Sequence, residues 1–517
     1  MKEDKLNAIN NFLKHNKFVC ISALLIILNI LFLNNVIINN PKATINATYI
    51  VILIISILLE LGIAMFLFKT DKKSIKIENQ FLIISLITGI LYMMVIPIGL
   101  VPDEKNHFLR AYEISEGHII SDKNKDGIGG RVLPIETSNA ITDTTEYTYN
   151  DLIEHAKVKK SDVQEFITFG NTSLYSFICY IPQTIGILTA KILNLSIIES
   201  SYLGRIFNFA VWISLMYFSI KYIPCYKKLI AFISLLPITL QEAISLSPDA
   251  LTIAVAIALV SFVLYMIKTK KGKMTKIELA IMSVLAIIMS LCKIVYLPLC
   301  LLLYLIPYER FQSKKDKYIK LGLLSFSVIA INIIWLIIAS QYLVEFRPGV
   351  NSAEQVMGIL SNPFKYIQII ANTIIQKSDF YIFSMLGKNL ECFNIDLPYF
   401  YFLITFILLV YILQKEVQDY TLNKISTKYG AIFVLVCTIL LIFTSLYVQW
   451  TKVGDLIIDG VQGRYFIPIL PLLPIALSKI GIKKSIKKID NDINKYILFF
   501  LTIQNIYALF VIFYTHI

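Results

Sequence analysis

The sequence predicts an all-α polytopic membrane protein, and three observations carry that class. Of 517 residues, 56% are apolar and only 16% charged, far from the balance of a soluble domain. Thirteen apolar runs approach the 20 or so residues that a bilayer crossing takes, or somewhat fewer inside a bundle. Lys and Arg gather in alternate connecting segments. A water-soluble enzyme is excluded, and the lipid bilayer is the first partner implied. The net charge of +13 does not mark a nucleic-acid partner, because the charges sit between apolar runs.

In order, the runs lie near 18–38, 48–68, 81–101, 203–222, 229–246, 250–268, 277–292, 294–308, 319–341, 398–414, 429–448, 465–482 and 495–514. The first carries no cleavage signal and is followed at once by another span, so it is expected to stay as an anchor. The segments 1–17, 69–79, 221–228, 268–276, 309–320, 415–428 and 479–495 hold 30 of the 48 basic residues, which sets them in the cytoplasm. The N-terminus is then inside, the C-terminus outside, and 102–202, 342–397 and 449–464 form outer loops.

Parity requires that 173–193 and 364–376 do not cross. The second carries Lys365, Gln368, Asn372 and Gln376 at helical spacing, so both are read as interfacial helices. The organisation is a tail and hairpin over 1–80, a core over 81–482, and a basic loop with a last helix over 483–517. No internal repeat is visible, and the spans hold almost no ionisable residue beyond Glu60, which disfavours an ion-coupled transporter. The seven cysteines form no C-x-x-C pair, so neither zinc nor a disulfide framework is indicated.

The candidate site begins where the third span ends. Pro102 and Asp103 start a helix that Gly117 stops. On it Asp103, His107 and Arg110 share one face, while Phe108, Ala111, Tyr112 and Ser115 form a less polar one. As an N-cap and a dipole-favouring charge, Asp103 and Glu104 would need no chemistry. Acids and bases converging at a membrane boundary favour a site instead: a carboxylate to deprotonate a hydroxyl, a guanidinium to hold a phosphate. The stretch Asp122 to Gly127 matches half a calcium loop, but the acid due at position 133 is Leu133, so a polar surface turn is expected.

Other polar points fall on the same side. Arg205 opens the fourth span, Ser247, Pro248 and Asp249 make a turn, and Lys293 precedes Tyr296 and Pro298. Gly460 and Gly463 permit unusual backbone angles that would present Gln462, Arg464 and Tyr465. The loop 102–172 holds thirteen acids against eight Lys and Arg, so a basic chain presents an acidic outer surface.

Together P-D-E-x-x-H-x-x-R-A-Y-x-x-S-x-G (102–117), S-P-D (247–249), K-x-x-Y-x-P (293–298) and G-V-Q-G-R-Y-F-I-P (460–468) resemble a bacterial family of multi-pass membrane proteins of unassigned function. That family is similar to the GT-C glycosyltransferase superfamily of protein O-mannosyltransferases and aminoarabinose transferases. The resemblance covers about 98–480 and implies a GT-C-like bundle of about 13 helices in the bacterial cell membrane. It implies a polyprenyl-phosphate sugar donor and chemistry on the outer face. By position Asp103 and Glu104 match the acidic motif, and Arg205 the arginine opening the second core span. The chain lacks those enzymes' soluble outer domains, so Lys293 and Arg464 are assigned to donor phosphate by their chemistry alone.

The expected function is inverting transfer of a sugar to a cell-envelope glycan or glycolipid. Asp103 and Glu104 are the catalytic candidates, Arg205, Lys293 and Arg464 the phosphate ligands, and His107, Arg110, Asp249, Tyr296, Gln462 and Tyr465 the substrate contacts. No cofactor is certain; a divalent Mg or Mn on Asp103 and Glu104 stays open. The alternatives are a lipid-linked-sugar flippase or polysaccharide exporter, and a structural membrane subunit.

Overall fold

The structure, a computed structural model, describes residues 17–38, 47–73, 75–142, 147–158, 163–345, 347–419, 424–478 and 492–517. Most of the basic segments 1–17 and 479–495 and part of 415–428 lie outside the described residues. Nine helices among the described residues are long and apolar enough to cross a membrane: Lys17–Asn35, Tyr49–Lys69, Ile77–Val95, Ile197–Tyr222, Asp249–Lys268, Lys314–Ser340, Tyr399–Gln418, Ile425–Gln449 and Asn494–Thr515. Asp249–Lys268 and Asn494–Thr515 are the most enclosed, with 78% and 83% of their apolar windows buried, so the bundle is built around them. Outer helices turn side chains such as Leu58, Leu323, Phe326 and Ile337 outward, as a lipid-facing surface requires.

The other four predicted runs are shorter or broken. Lys276–Cys292 is a 17-residue α-helix. The run 229–246 splits into Lys227–Ser234 and Pro237–Ala243, because Leu236 is extended ahead of Pro237. Ile294–Leu305 and Gly463–Leu472 are 3₁₀ helices with internal prolines, Pro298 in one and Pro468 and Pro471 in the other. At about 2.0 Å per residue a 3₁₀ helix covers more depth than an α-helix of equal length, so these short runs reach further than their residue count suggests.

Contacts sort the connecting segments into two ends of the bundle. At one end His516 shares hydrogen bonds with Glu391 and the Tyr147 carbonyl. There too Trp335 Nε1 donates to the Leu174 carbonyl at 2.9 Å and Gln355 Nε2 to the Thr451 carbonyl at 3.0 Å. At the other end Lys227 pairs with Glu78, the Lys228 amide donates to Glu416, and Lys428 Nζ donates to the Ser478 carbonyl. This division is the one the alternation of basic segments predicts.

The stretch 173–193 forms a 3₁₀ turn, Phe177–Tyr180, and the helix Ile181–Ile192, shorter than the nine candidate spans. Gln183, Ile187 and Ala190 face the bundle while Ile181, Ile185 and Ile192 face outward. The second predicted interfacial helix is longer than 364–376: Asn362 caps it, Pro363 starts it, and it ends at Met385 before Gly387 turns the chain left-handed. In the first loop three antiparallel strands, Asp122–Lys123, Gly129–Pro134 and Gln164–Thr168, form a small sheet. The calcium-like segment is its hairpin turn, where Asn124 Oδ1 accepts from the amides of Asp126 and Ile128. The N-terminal hairpin packs on Asp492–Thr515, and Asn29 links it inward by donating to Glu60 and accepting from Tyr401.

Candidate functional site

After Ile77–Val95 the chain leaves the helix and turns at Gly99. Gly99 has φ +101°, and a Cβ there would lie 2.0 Å from the Thr142 carbonyl oxygen, so the turn needs glycine. The next helix, Glu104–Ser115, starts from Asp103 in the left-handed region at φ 60°, an unusual state for a non-glycine residue. Asp103 makes no side-chain cap bond. Its exposed carboxylate instead accepts from Asn171 Nδ2 at 3.1 Å, and Asn171 in turn accepts from Asn106.

Glu104 has the opposite fate. It is fully buried, with Oε1 accepting from Arg205 Nε (2.8 Å) and the Leu246 amide (3.0 Å) and Oε2 from Arg205 Nη2 (2.7 Å) and the Gly99 amide (2.9 Å). Arg205 gives its remaining bonds to the carbonyls of Ile96 and Pro97. Neither side chain has a face turned to a ligand. The bond to Leu246 ties the P-D-E motif to the S-P-D motif 142 positions away. Asn208 and Gln183 donate to the carbonyls of the same turn, fixing Asp249 at the head of its helix. A metal held jointly by Asp103 and Glu104 does not fit, because four donors already occupy the Glu104 oxygens.

Asp249 is the hub. It pairs with Lys293, and its Oδ2 lies 3.3 Å from Arg464 Nε. Arg464 Nη1 is 3.1 Å from Oε1 of Glu242. Lys293 sits over the Tyr465 ring at 4.8 Å and near that of Tyr175 at 5.8 Å. The Tyr296 hydroxyl donates to the Tyr465 carbonyl at 2.9 Å, joining the two 3₁₀ helices beside the cluster. His107 is buried with Nδ1 2.8 Å from the Tyr180 hydroxyl. Burial pushes its pKa down to about 4, against the pull of Asp103 and Asp249, so at neutral pH it is an uncharged hydrogen-bonding group.

Among the atoms buried here without a hydrogen bond are Oε2 of Glu242, Nε of Arg464, which faces Asp249 without aligning, and Oε1 of Gln462. Gly463 keeps ordinary backbone angles, unlike Gly460 at φ +79°. What it supplies is closeness, since a Cβ would sit 2.2 Å from the Met385 nitrogen. Its amide donates to Ser384, seating Arg464 against the helix Pro363–Met385.

The structure thus gathers Asp249, Lys293, Arg464, Tyr296 and Tyr465, with His107 and Asp103 within electrostatic reach. Arg110 turns away, to Glu113, Ser121 and the Ile119 carbonyl, so it braces the first loop. Glu242 was missed, and the expectation that the spans are nearly free of ionisable residues beyond Glu60 is corrected by it. A lone acid inside the run 229–246 is the signal that marks it.

Fold and cluster define a multi-pass α-helical membrane protein whose ionisable side chains converge at one end of the bundle. The chain belongs to the family described as Predicted membrane protein (DUF2142), whose model matches residues 86–473. Among curated proteins and among solved structures nothing matches it. The matched region includes every residue of the cluster and leaves out the N-terminal hairpin and the last helix.

Proposed function

We propose that the protein is a GT-C-type glycosyltransferase of the bacterial cell membrane, using a polyprenyl-phosphate sugar and acting outside the cytoplasm. The N-terminus is inside, and thirteen crossings bring the cluster to the outer face. The observation that carries this reading is the pair of buried cations, Lys293 and Arg464, gathered on Asp249, with the exposed carboxylate of Asp103 on left-handed backbone within electrostatic reach of Arg464. In the reaction an acceptor hydroxyl attacks the anomeric carbon and gives its proton to Asp103. The bond from that carbon to the phosphate oxygen breaks, and Lys293 and Arg464 stabilise the departing lipid phosphate. Glu104 and Arg205 act as positioning residues that hold the Asp249 turn. His107, Gln462 and the tyrosines line the sugar's approach, and a cell-envelope glycan or glycolipid is the acceptor.

The test is incubation of purified protein with a panel of polyprenyl-phosphate monosaccharides, following donor consumption. Donor use by the native protein and its loss in Asp103→Asn support transfer; undiminished use in Asp103→Asn removes it. The buried acids Glu60 and Glu242, inside runs read as spans, favour a second reading as a lipid-linked-sugar flippase. A flippase leaves the donor chemically intact while moving it between leaflets.

A further inference from the structure

Glu242 and Glu104 are both fully buried carboxylates facing an arginine, but they are satisfied very differently. Glu104 accepts four hydrogen bonds; Glu242 touches Arg464 through one oxygen at 3.1 Å, and its other oxygen accepts none. The same short helix, Pro237–Ala243, leaves Thr239 Oγ1 and Gln241 Nε2 without partners. Glu60 and Glu391 also have a buried oxygen without a hydrogen bond, so what sets Glu242 apart is its partner, an arginine that also faces Asp249 beside Lys293. Around it the two cations, Lys293 and Arg464, already face the carboxyl groups of Asp249 and Glu242, so an arriving anion has to compete with one of these for its partner.

We infer that Glu242 is a resident counter-anion: it occupies on Arg464 the position that a ligand's phosphate oxygen takes, and must yield that position for the phosphate to bind. This rests on the reading of Arg464 and Lys293 as phosphate ligands, and makes Glu242 the residue that sets how tightly the site holds a lipid phosphate. The weakness of its hold, one contact rather than four, is what allows the exchange. Arg464 is poised for it, because its Nε is not committed to an aligned bond.

The experiment is calorimetric titration of the full-length, detergent-solubilised protein with a short-chain polyprenyl monophosphate. Inorganic phosphate and the uncharged polyprenol serve as separate arms. Glu242→Gln is expected to bind the polyprenyl phosphate about tenfold more tightly, equivalent to about 1.4 kcal/mol, with binding of the polyprenol unchanged. Tightening toward inorganic phosphate alone assigns the site to free phosphate and overturns the lipid-phosphate form of the inference. Equal or weaker polyprenyl-phosphate binding by a Glu242→Gln protein that melts like wild type overturns it altogether.

Should that variant fail to fold, the native protein gives the same answer through labelling with an apolar carbodiimide. Displacement by polyprenyl phosphate increases modification of Glu242, and unchanged modification at saturating ligand overturns the exchange. Donor consumption combined with no effect at Glu242 defeats this inference alone. A tightened Glu242→Gln site in a protein that consumes no donor defeats sugar transfer and leaves the counter-anion standing.

Discussion

Asp103 and Glu104 are neighbours in sequence, yet one keeps an exposed carboxylate and the other commits both oxygens to four bonds. Their variants should separate accordingly. Asp103→Asn is expected to fold normally and lose transfer by about 10²- to 10⁴-fold, the usual worth of a general base, measured as donor consumption. Glu104→Gln leaves Arg205 buried without its counter-charge and is expected to cost about 3–5 kcal/mol of stability, seen as a lower melting temperature in detergent. For His107 the folded pKa of about 4 lies below the ordinary 6.5, so the unfolded chain binds more protons between these values. Its contribution, about 3 kcal/mol, is fully present above pH 6.5 and is lost as pH falls toward 4. His107→Gln should flatten the melting temperature over that window. The sequence made Asp249, Lys293 and Arg464 visible because each sits at the boundary of an apolar run. It could not reveal that Arg205 is saturated, because the acceptors at 96, 97 and 104 lie about a hundred positions away and meet it only through folding.

Among the elements, the long regular helices were legible from hydropathy alone to within six residues at either end: the third stops at Val95, short of 101, and the fourth starts at Ile197, so Arg205 lies inside it rather than opening it. The broken ones were not, since Leu236 ahead of Pro237 and the prolines at 298, 468 and 471 change the helix type without changing how apolar the run is. Those irregular elements position the cluster: Lys293 immediately precedes one 3₁₀ helix and Arg464 is the second residue of the other. Gly463→Ala should therefore push the second 3₁₀ helix off the backbone at Met385 and displace Arg464. The expected result is at least a tenfold loss of polyprenyl-phosphate affinity by titration, with the bundle still assembled by gel filtration. An unchanged affinity would show that the approach at Met385 is not what seats Arg464.

At the scale of the whole molecule, the alternation of basic segments and the observed contacts agree on which loops share an end, and the bilayer supplies the direction. In a cysteine-free background, Asp126→Cys and Asp455→Cys, exposed at the cluster end, should react with an impermeant maleimide on intact cells. Lys271→Cys and Lys314→Cys, exposed at the opposite end, should react only after permeabilisation; the reverse pattern would invert the protein. The two 3₁₀ helices have a mechanical meaning here. Both pack against Asp249–Lys268 and Ile425–Gln449, and the Tyr296 hydroxyl pins one to the other at 2.9 Å. The two are therefore coupled through a hydrogen bond worth about 0.5–1.5 kcal/mol, and Tyr296→Phe is expected to widen the range of spacings open to the Lys293 and Arg464 backbones.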